Sequence, residues 1–499
     1  MRKKLLLKNT ASSLTYQICN VICAFILPRL ILVAFGSDVN GLVNSIDPFL
    51  RIISLLDLGV GAVVQSSLYK PIAENNELQI SRIVTFANKF FKKIAAVLLV
   101  YSALLMVFYP MLVKNSFSHL FTALLIASMC ISSFAQYYFG IVDRLFLTAA
   151  QHGYITYNAQ TLTLIINTVA CAILIKLGYG IHIVKLTTSL VFLARPVILR
   201  IYTNKHYKIN RKEKYTEEPV QQKWNGIAQH VASVVLDYTD TIVLTLFAKL
   251  SDVSIYSVYH MVVYGIKSLF MSLTSGIQAV FGDMWAKKEN EKLDKFFGFS
   301  EWAIHTGATL IFGIAGIMII PFVKVYTKGI TDAQYVNIAF AVLIVAAQFC
   351  HSIRLPYNLM ILACGHYKQT QNNYIISAVI NIVISVVTVK IWGLVGVAIG
   401  TLCAMLYQTV WMAFYISKKV LNRKMTLFFK SLALDIFTAA VGILATVKIN
   451  IAADSYFSLV LYAALVSVIW CAVVLVINLL VNRDKIIYLF KMLRKKIKN

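Results

Sequence analysis

Charge is scarce in this sequence. Of 499 residues only 14% are Asp, Glu, Lys or Arg, while 59% are apolar. A soluble domain carries about 25% charged residues. A soluble globular enzyme is therefore excluded, because too few polar residues remain to cover its surface. Acidic residues are the scarcest charge, 21 Asp and Glu against 47 Lys and Arg. In a soluble chain that excess would point to nucleic acid. In so apolar a chain it fits the gathering of basic residues on the cytoplasmic side of a membrane, and no nucleic-acid partner is expected. None of the eight cysteines forms a Cys-x-x-Cys pair. Zinc and redox motifs are thus missing, and the cysteines are expected as small buried thiols.

Catalytic signatures are missing as well. There is no Gly-x-x-x-x-Gly-Lys-Ser/Thr loop for a nucleotide, no His-Glu-x-x-His and no Gly-x-Ser-x-Gly. Gly59-Val60-Gly61 and Gly178-Tyr179-Gly180 lack the third glycine of a dinucleotide fingerprint and suit helix flexing instead. A membrane glycan polymerase would need a sizeable external loop with carboxylates. The outward loops are short and carry Asp38, Asp252, Asp332 and Asp454. No enzyme activity, cofactor or metal site is expected.

What the sequence has is apolar runs long enough to cross a bilayer, at ~20 residues per crossing. Fourteen spans are expected, near 12–35, 41–66, 91–113, 118–141, 155–176, 181–203, 225–249, 255–281, 302–325, 336–364, 371–391, 393–417, 427–449 and 456–481. The basic start Met1-Arg2-Lys3-Lys4 is followed by a polar stretch and a long apolar run, which predicts a first membrane helix in place of a signal peptide. The expected fold is an all-α polytopic membrane protein. It comprises an N-terminal six-helix bundle (1–203), a cytoplasmic linker (204–224), a C-terminal six-helix bundle (225–417), and two extra helices with a basic tail (418–499).

Basic residues set the orientation. With the N-terminus inside, 34 of the 47 fall in cytoplasmic segments. The opposite side holds eight, namely Lys114, Lys176, Lys185, Lys249, Lys324, Lys328, Lys390 and Lys448. The asymmetry places both termini in the cytoplasm. A repeat underlies the two bundles. His152/His366, Asn158/Asn372, Asn167/Asn381 and Lys176/Lys390 match at one shift of 214 residues, as do Ser37-Asp38-Val39 and Ser251-Asp252-Val253. Polar identities seldom coincide by chance in apolar sequence. Equivalents six helices apart share orientation, a parallel repeat of the kind transporters use.

Charges inside spans are the candidate functional groups, since each is costly in lipid. They include Arg29, Asp47, Arg51, Asp57, Asp237, Asp240, His260, Lys267, His351 and Arg354. A hydrated cavity between two lobes would keep them charged. Arginine suits phosphate, because its planar fork donates two parallel hydrogen bonds. Asp47 and Arg51, at i and i+4, could equally pair within their helix. Asp57 could hold a coupling ion, pair with Arg51 or cap a helix at Gly59. Arg195, just before Pro196, is expected to reach the cytoplasmic interface. Asp435 is the single carboxylate in the last two spans, which are otherwise nearly uncharged.

Several stretches carry a family resemblance. They are Asn9-Thr10-Ala11-Ser12-Ser13, the segment Ile52-Ile53-Ser54-Leu55-Leu56-Asp57-Leu58-Gly59-Val60-Gly61, Leu147-Thr148-Ala149-Ala150-Gln151-His152-Gly153, and Leu362-Ala363-Cys364-Gly365-His366. Over about residues 5–482 the chain resembles the multidrug/oligosaccharidyl-lipid/polysaccharide exporter superfamily, and within it the bacterial O-antigen or capsule repeat-unit flippases. The resemblance implies two six-helix bundles arranged as a V, alternating access, and transfer of a polyprenyl-diphosphate-linked oligosaccharide to the outer leaflet of the bacterial cell membrane. It also implies cavity cations that contact the diphosphate or acidic sugars. By helix position that role falls to Arg29, Arg51, Lys267 and Arg354, with Asp57, Asp237 and Asp240 as coupling-ion candidates. Membrane lipids, a glycan polymerase and glycosyltransferases are the implied partners. The alternatives are a cation-coupled multidrug exporter of the same superfamily, a membrane glycan polymerase, and a non-transporting scaffold.

Overall fold

The computed structural model describes residues 2–57, 60–113, 117–215, 227–449 and 454–487, and every regular element among them is a helix. Within the described segments the side chains of residues 2–4, 6, 57, 227–229, 273 and 275 lie outside the description. In chain order the helices are α1 (Arg2–Arg51), α2 (Val60–Ala73), α3 (Glu77–Leu112), α4 (His119–Ala135), α5 (Ile141–Ala149), α6 (Gly153–Lys176), α7 (Ile181–His206) and α8 (Ile227–Phe247). There follow α9 (Leu250–Ala286), α10 (Asn290–Tyr326), α11 (Ile338–Ile353), α12 (Leu355–Cys364), α13 (Tyr367–Trp392), α14 (Leu394–Tyr415), α15 (Thr426–Thr446) and α16 (Tyr456–Val481).

Among the described residues twelve helical segments are long and apolar enough to cross a membrane. One of them, Leu7–Leu56, is 50 residues long. At 1.5 Å per residue it would measure about 75 Å, more than twice a hydrocarbon core of ~30 Å. It is two crossings. Gly36 separates them with φ 81° and ψ 176°, a conformation essentially closed to residues with a Cβ. With that segment counted twice and α9, 37 residues long, added, the described residues hold fourteen such segments, the number expected from sequence. Two helices overrun their apolar windows. α3 begins at Glu77 and α10 at Asn290, because a helix continues past the bilayer wherever its polar residues can meet water.

The chain forms two compact units, Met1–Ser254 and Ile255–Asn499. α8 therefore packs with the first unit. Its His230 ring lies 3.3 Å from the Ser54 carbonyl oxygen. From sequence a linker is expected at 204–224; the compact units divide after Ser254. Linker residues are held in the first unit by a buried carboxylate, Asp143 on α5, which meets Arg211 at 2.5 Å and Arg200 at 3.1 Å. Burial pulls the Arg211 guanidinium below its ordinary value, and Asp143 pulls it back up. The repeat is echoed in local structure. His152 and His366 both stand at helix N-caps, and each ring meets a tyrosine hydroxyl, Tyr207 at 2.6 Å and Tyr415 at 3.0 Å. Burial and the nearby charges of His206 and Lys8 lower the His152 pKa from its ordinary value.

In the second unit α15 and α16 pack on α10. Trp470 of α16 is wholly buried and fits only because two neighbours lack side chains. A Cβ at Gly313 would stand 2.0 Å from the indole ring, and one at Gly442 2.8 Å. Overpacking of this kind costs about 1–3 kcal/mol. Gly313→Val is accordingly expected to lower the melting temperature and shift Trp470 fluorescence toward that of a solvated indole. An unchanged melt and spectrum would show that α16 does not depend on this fit.

Candidate functional site

A cavity of ≈ 500 Å³ opens within the first unit. Pockets that take drug-sized ligands run to about 300–1,000 Å³. Its walls come from the C-terminal end of α1 and from α4 to α8. Three departures from regular helix meet there. The chain after α1 tightens into a 3-10 turn, Ile52–Asp57, which presents Ile53 and Ser54. A π-helical turn, Gln136–Gly140, joins α4 to α5 and presents Gln136, Tyr137 and Gly140. Pro196 lies inside α7, where it removes one backbone hydrogen bond, and a Cβ at Gly140 would stand 2.9 Å from the Pro196 Cβ. Irregular backbone at membrane depth is tolerated where it lines a cavity, and π-turns gather at functional sites.

The lining is cationic. Arg51, Arg144, Lys185 and Arg195 face it, with Asp47 as the carboxylate. Arg51 Nε donates to Asp47 Oδ2 at 2.6 Å, and the two side chains are 56% and 49% exposed. The i, i+4 pair expected from sequence is thus formed, and it lines the cavity as well. Tyr238 of α8 stands beside Arg51, with Asp47 and Asp237 in electrostatic reach. Lys185 is likewise in reach of Asp47. Arg195 Nε donates to Thr163 Oγ1 at 2.7 Å, and its guanidinium carbon lies 3.7 Å from the Phe192 ring centre. These contacts hold the guanidinium in place at the cavity wall. Arg195 therefore lines the cavity.

The other sequence candidates are dispersed. Arg29 is half-buried on α1 and outside the cavity lining. Asp237 is exposed and Asp240 buried on α8. The side chain of Asp57 lies outside the described residues. In the second unit His351 is close enough to Lys267 and Arg354 to feel both charges. Arg354 is 7% exposed and sits at the break between α11 and α12, just before Leu355-Pro356. Among the described residues no group of three His, Cys, Asp or Glu side chains is placed to hold a metal ion. Sequence reasoning missed Lys185 and Arg144, counted as loop residues on opposite sides. Their positions along the chain were visible, but the direction each side chain takes around its helix was not.

No family model matches the sequence, and no curated protein matches it. Solved structures do match. The lipid II flippase MurJ, in an inward closed conformation, aligns with a TM-score of 0.73 at 12% identity, over 96% of this chain and 99% of MurJ. The chain has a MurJ- and MATE-like fold. The Vibrio cholerae MATE transporter VcmN in its bent form aligns with a TM-score of 0.58 at 12% identity, over 84% of this chain and 98% of VcmN. A MOP superfamily transporter from Pyrococcus furiosus aligns with a TM-score of 0.56 at 12% identity, over 84% and 96%. The multi-pass all-α architecture that the resemblance implied is the one observed.

Proposed function

We propose that the protein is a flippase that moves a polyprenyl-diphosphate-linked oligosaccharide from the cytoplasmic to the outer leaflet of a bacterial cell membrane, for cell-surface polysaccharide synthesis. The observation that carries this reading is the polarity of the cavity, in which Arg51, Arg144, Lys185 and Arg195 outnumber Asp47. A diphosphate diester carries about two negative charges, and arginine forks match its oxygens. Cationic drugs would need the opposite polarity. MurJ, of similar fold, is a flippase of a lipid, lipid II. Pocket polarity also bears on function within this fold, since reverse polarity of the binding pocket suggests a different function for the Pyrococcus furiosus transporter.

In this mechanism the diphosphate enters the cavity while sugars and water fill the remaining space. Irregular turns at Ile52–Asp57 and Gln136–Gly140 supply backbone polar groups to the same wall. Arg29, Lys267 and Arg354 serve as further cations along the path, and Asp57, Asp237 and Asp240 as coupling-ion candidates. Alternating access then exposes the loaded site to each leaflet, with both termini in the cytoplasm. A glycan polymerase and glycosyltransferases supply and consume the substrate.

Binding tests the reading directly. Purified full-length protein is titrated in detergent with a polyprenyl diphosphate and with the corresponding polyprenol, at low and high salt. The diphosphate is expected to bind more tightly by at least about tenfold, the worth of one charge-assisted contact near 1.5 kcal/mol, and to weaken as salt rises. Equal binding of the two lipids, or preference for a hydrophobic cation, would overturn it.

A further inference from the structure

The second unit contains a buried ionisable cluster that the cavity mechanism does not use. His305 on α10 and Asp435 on α15 meet at 2.5 Å, Nδ1 to Oδ2, and are 2% and 6% exposed. Thr309 donates its hydroxyl to the other carboxylate oxygen at 2.9 Å. Both oxygens of Asp435 are thereby engaged. The second imidazole nitrogen, Nε2, is buried and makes no hydrogen bond among the described residues.

The dyad continues a polar face of α10. One turn earlier, Glu301 accepts a hydrogen bond from the Tyr357 hydroxyl of α12 and meets Arg423 Nη1 at 3.1 Å. Arg423 Nε reaches Asp294 at 2.9 Å, and the Asp294 side chain is 47% exposed. Asp294, Glu301, His305 and Thr309 recur at helical spacing on one face. From Asp294 to His305 the face runs about 16 Å at 1.5 Å per residue. It leads from a half-exposed carboxylate to the buried dyad.

The cluster's charges decide what the dyad can do. Asp294 and Glu301 share Arg423, and Lys485, beyond α16, is in electrostatic reach of Glu301 and Arg423. α16 contributes the neutral Asn478, which accepts from Trp302. α12 contributes Tyr357, and the edge of the His305 ring meets Phe428 of α15. α11 contributes His351 and, at its C-cap, Arg354, which stand with Lys267. Among the described residues no other ion pair reaches Asp435. With a neutral imidazole the dyad would hold a full negative charge inside a membrane span. With one more proton it is a neutral ion pair. A buried pair is not needed for stability, since well-packed apolar residues do as well, and an ionisable group at this depth is a functional candidate by default.

We propose that His305 and Asp435 form a proton-binding site of the transport cycle, reached from Asp294 along the polar face of α10. The step takes one proton from water and returns it, with only an N–H or O–H bond formed and broken. The site is separate from Asp57, Asp237 and Asp240. Its place in a cycle rests on the transport reading above, whereas proton binding itself does not.

Two measurements on the full chain test it. Infrared difference spectra of purified protein between neutral and acidic pH should show an imidazole and carboxyl titration in the wild type. The bands due to His305 and Asp435 should be missing in His305→Gln and in Asp435→Asn, while those of the other histidines and carboxylates remain. If either single variant fails to fold, the isosteric His305→Gln/Asp435→Asn double variant takes its place, because a Gln–Asn pair keeps a hydrogen bond without a titratable group. In proteoliposomes, flipping of a fluorescent polyprenyl diphosphate should respond to an imposed pH gradient, by about tenfold in distribution per pH unit for one proton. The variants should flip without that response. Identical difference spectra in wild type and variants overturn the site, as does an unchanged gradient response. Failure of the wild type to flip the lipid would instead overturn the transport reading, and the infrared titration would still decide proton binding.

Discussion

Export of the lipid-linked glycan is expected to fall by at least about 100-fold in Arg195→Ala, because two charge-assisted hydrogen bonds at ~1.5 kcal/mol or more each are lost and 1.4 kcal/mol is tenfold. Arg195 is singled out over the other cavity cations by its support. Thr163 takes Nε at 2.7 Å and Phe192 lies under the guanidinium at 3.7 Å, so the fork is held before a substrate arrives. Preorganisation of this kind lowers the cost of binding. Arg195→Lys keeps the charge but loses the planar two-pronged fork, and should fall between wild type and Ala. Arg51 behaves differently. Its charge is already shared with Asp47 at 2.6 Å, so Asp47→Ala/Arg51→Ala should export nearly as well as wild type. The measurement is surface glycan against accumulated lipid-linked intermediate, at matched protein levels. Wild-type export by Arg195→Ala would remove this cavity from the mechanism.

The membrane helices were legible because lipid demands long apolar runs, and that demand is one-dimensional. The break at Gly36 was legible for the same reason, from the polar Ser37-Asp38 that interrupts the run. The water-exposed extensions of α3 and α10 were not, since hydropathy marks where a helix meets lipid and says nothing of where it stops. The cavity shows the sharper limit. Lys185, Arg144 and Arg195 could each be placed along the chain, yet their convergence depends on how α5 and α7 are rotated. The π-turn at Gln136–Gly140 that helps to set that rotation has no sequence signature. The Asp47–Arg51 pair was readable because both partners lie one turn apart. His305 and Asp435 lie 130 residues apart, and only Asp435, the single carboxylate of an apolar span, gave a signal. Glu301 fell at the edge of its apolar window and drew no notice.

Arg423 offers the largest expected effect on stability. It lies just beyond the π-helical turn Ile416–Val420 that follows α14, is 14% exposed, and meets Glu301, itself 6% exposed, at 3.1 Å. Its guanidinium also lies over the Phe297 ring at 5.2 Å. The missing side chain of Gly298 leaves it room, because a Cβ there would stand 3.0 Å from Nη2. Removing one partner of a buried ion pair strands the other charge, at a cost of about 3–5 kcal/mol. Arg423→Ala should therefore melt roughly 10 °C below wild type, at 2–4 °C per kcal/mol for a unit of this size. The stranded charge, more than the lost contact, is the cause, so a second change should repair most of the loss. Glu301→Gln in the Arg423→Ala background leaves an amide that still accepts from Tyr357 and carries no charge. Thermal unfolding of the purified single and double variants separates the two contributions. If Arg423→Ala melts with the wild type, Glu301 has reached another cation or water, and the polar face of α10 is more open to solvent than its burial indicates.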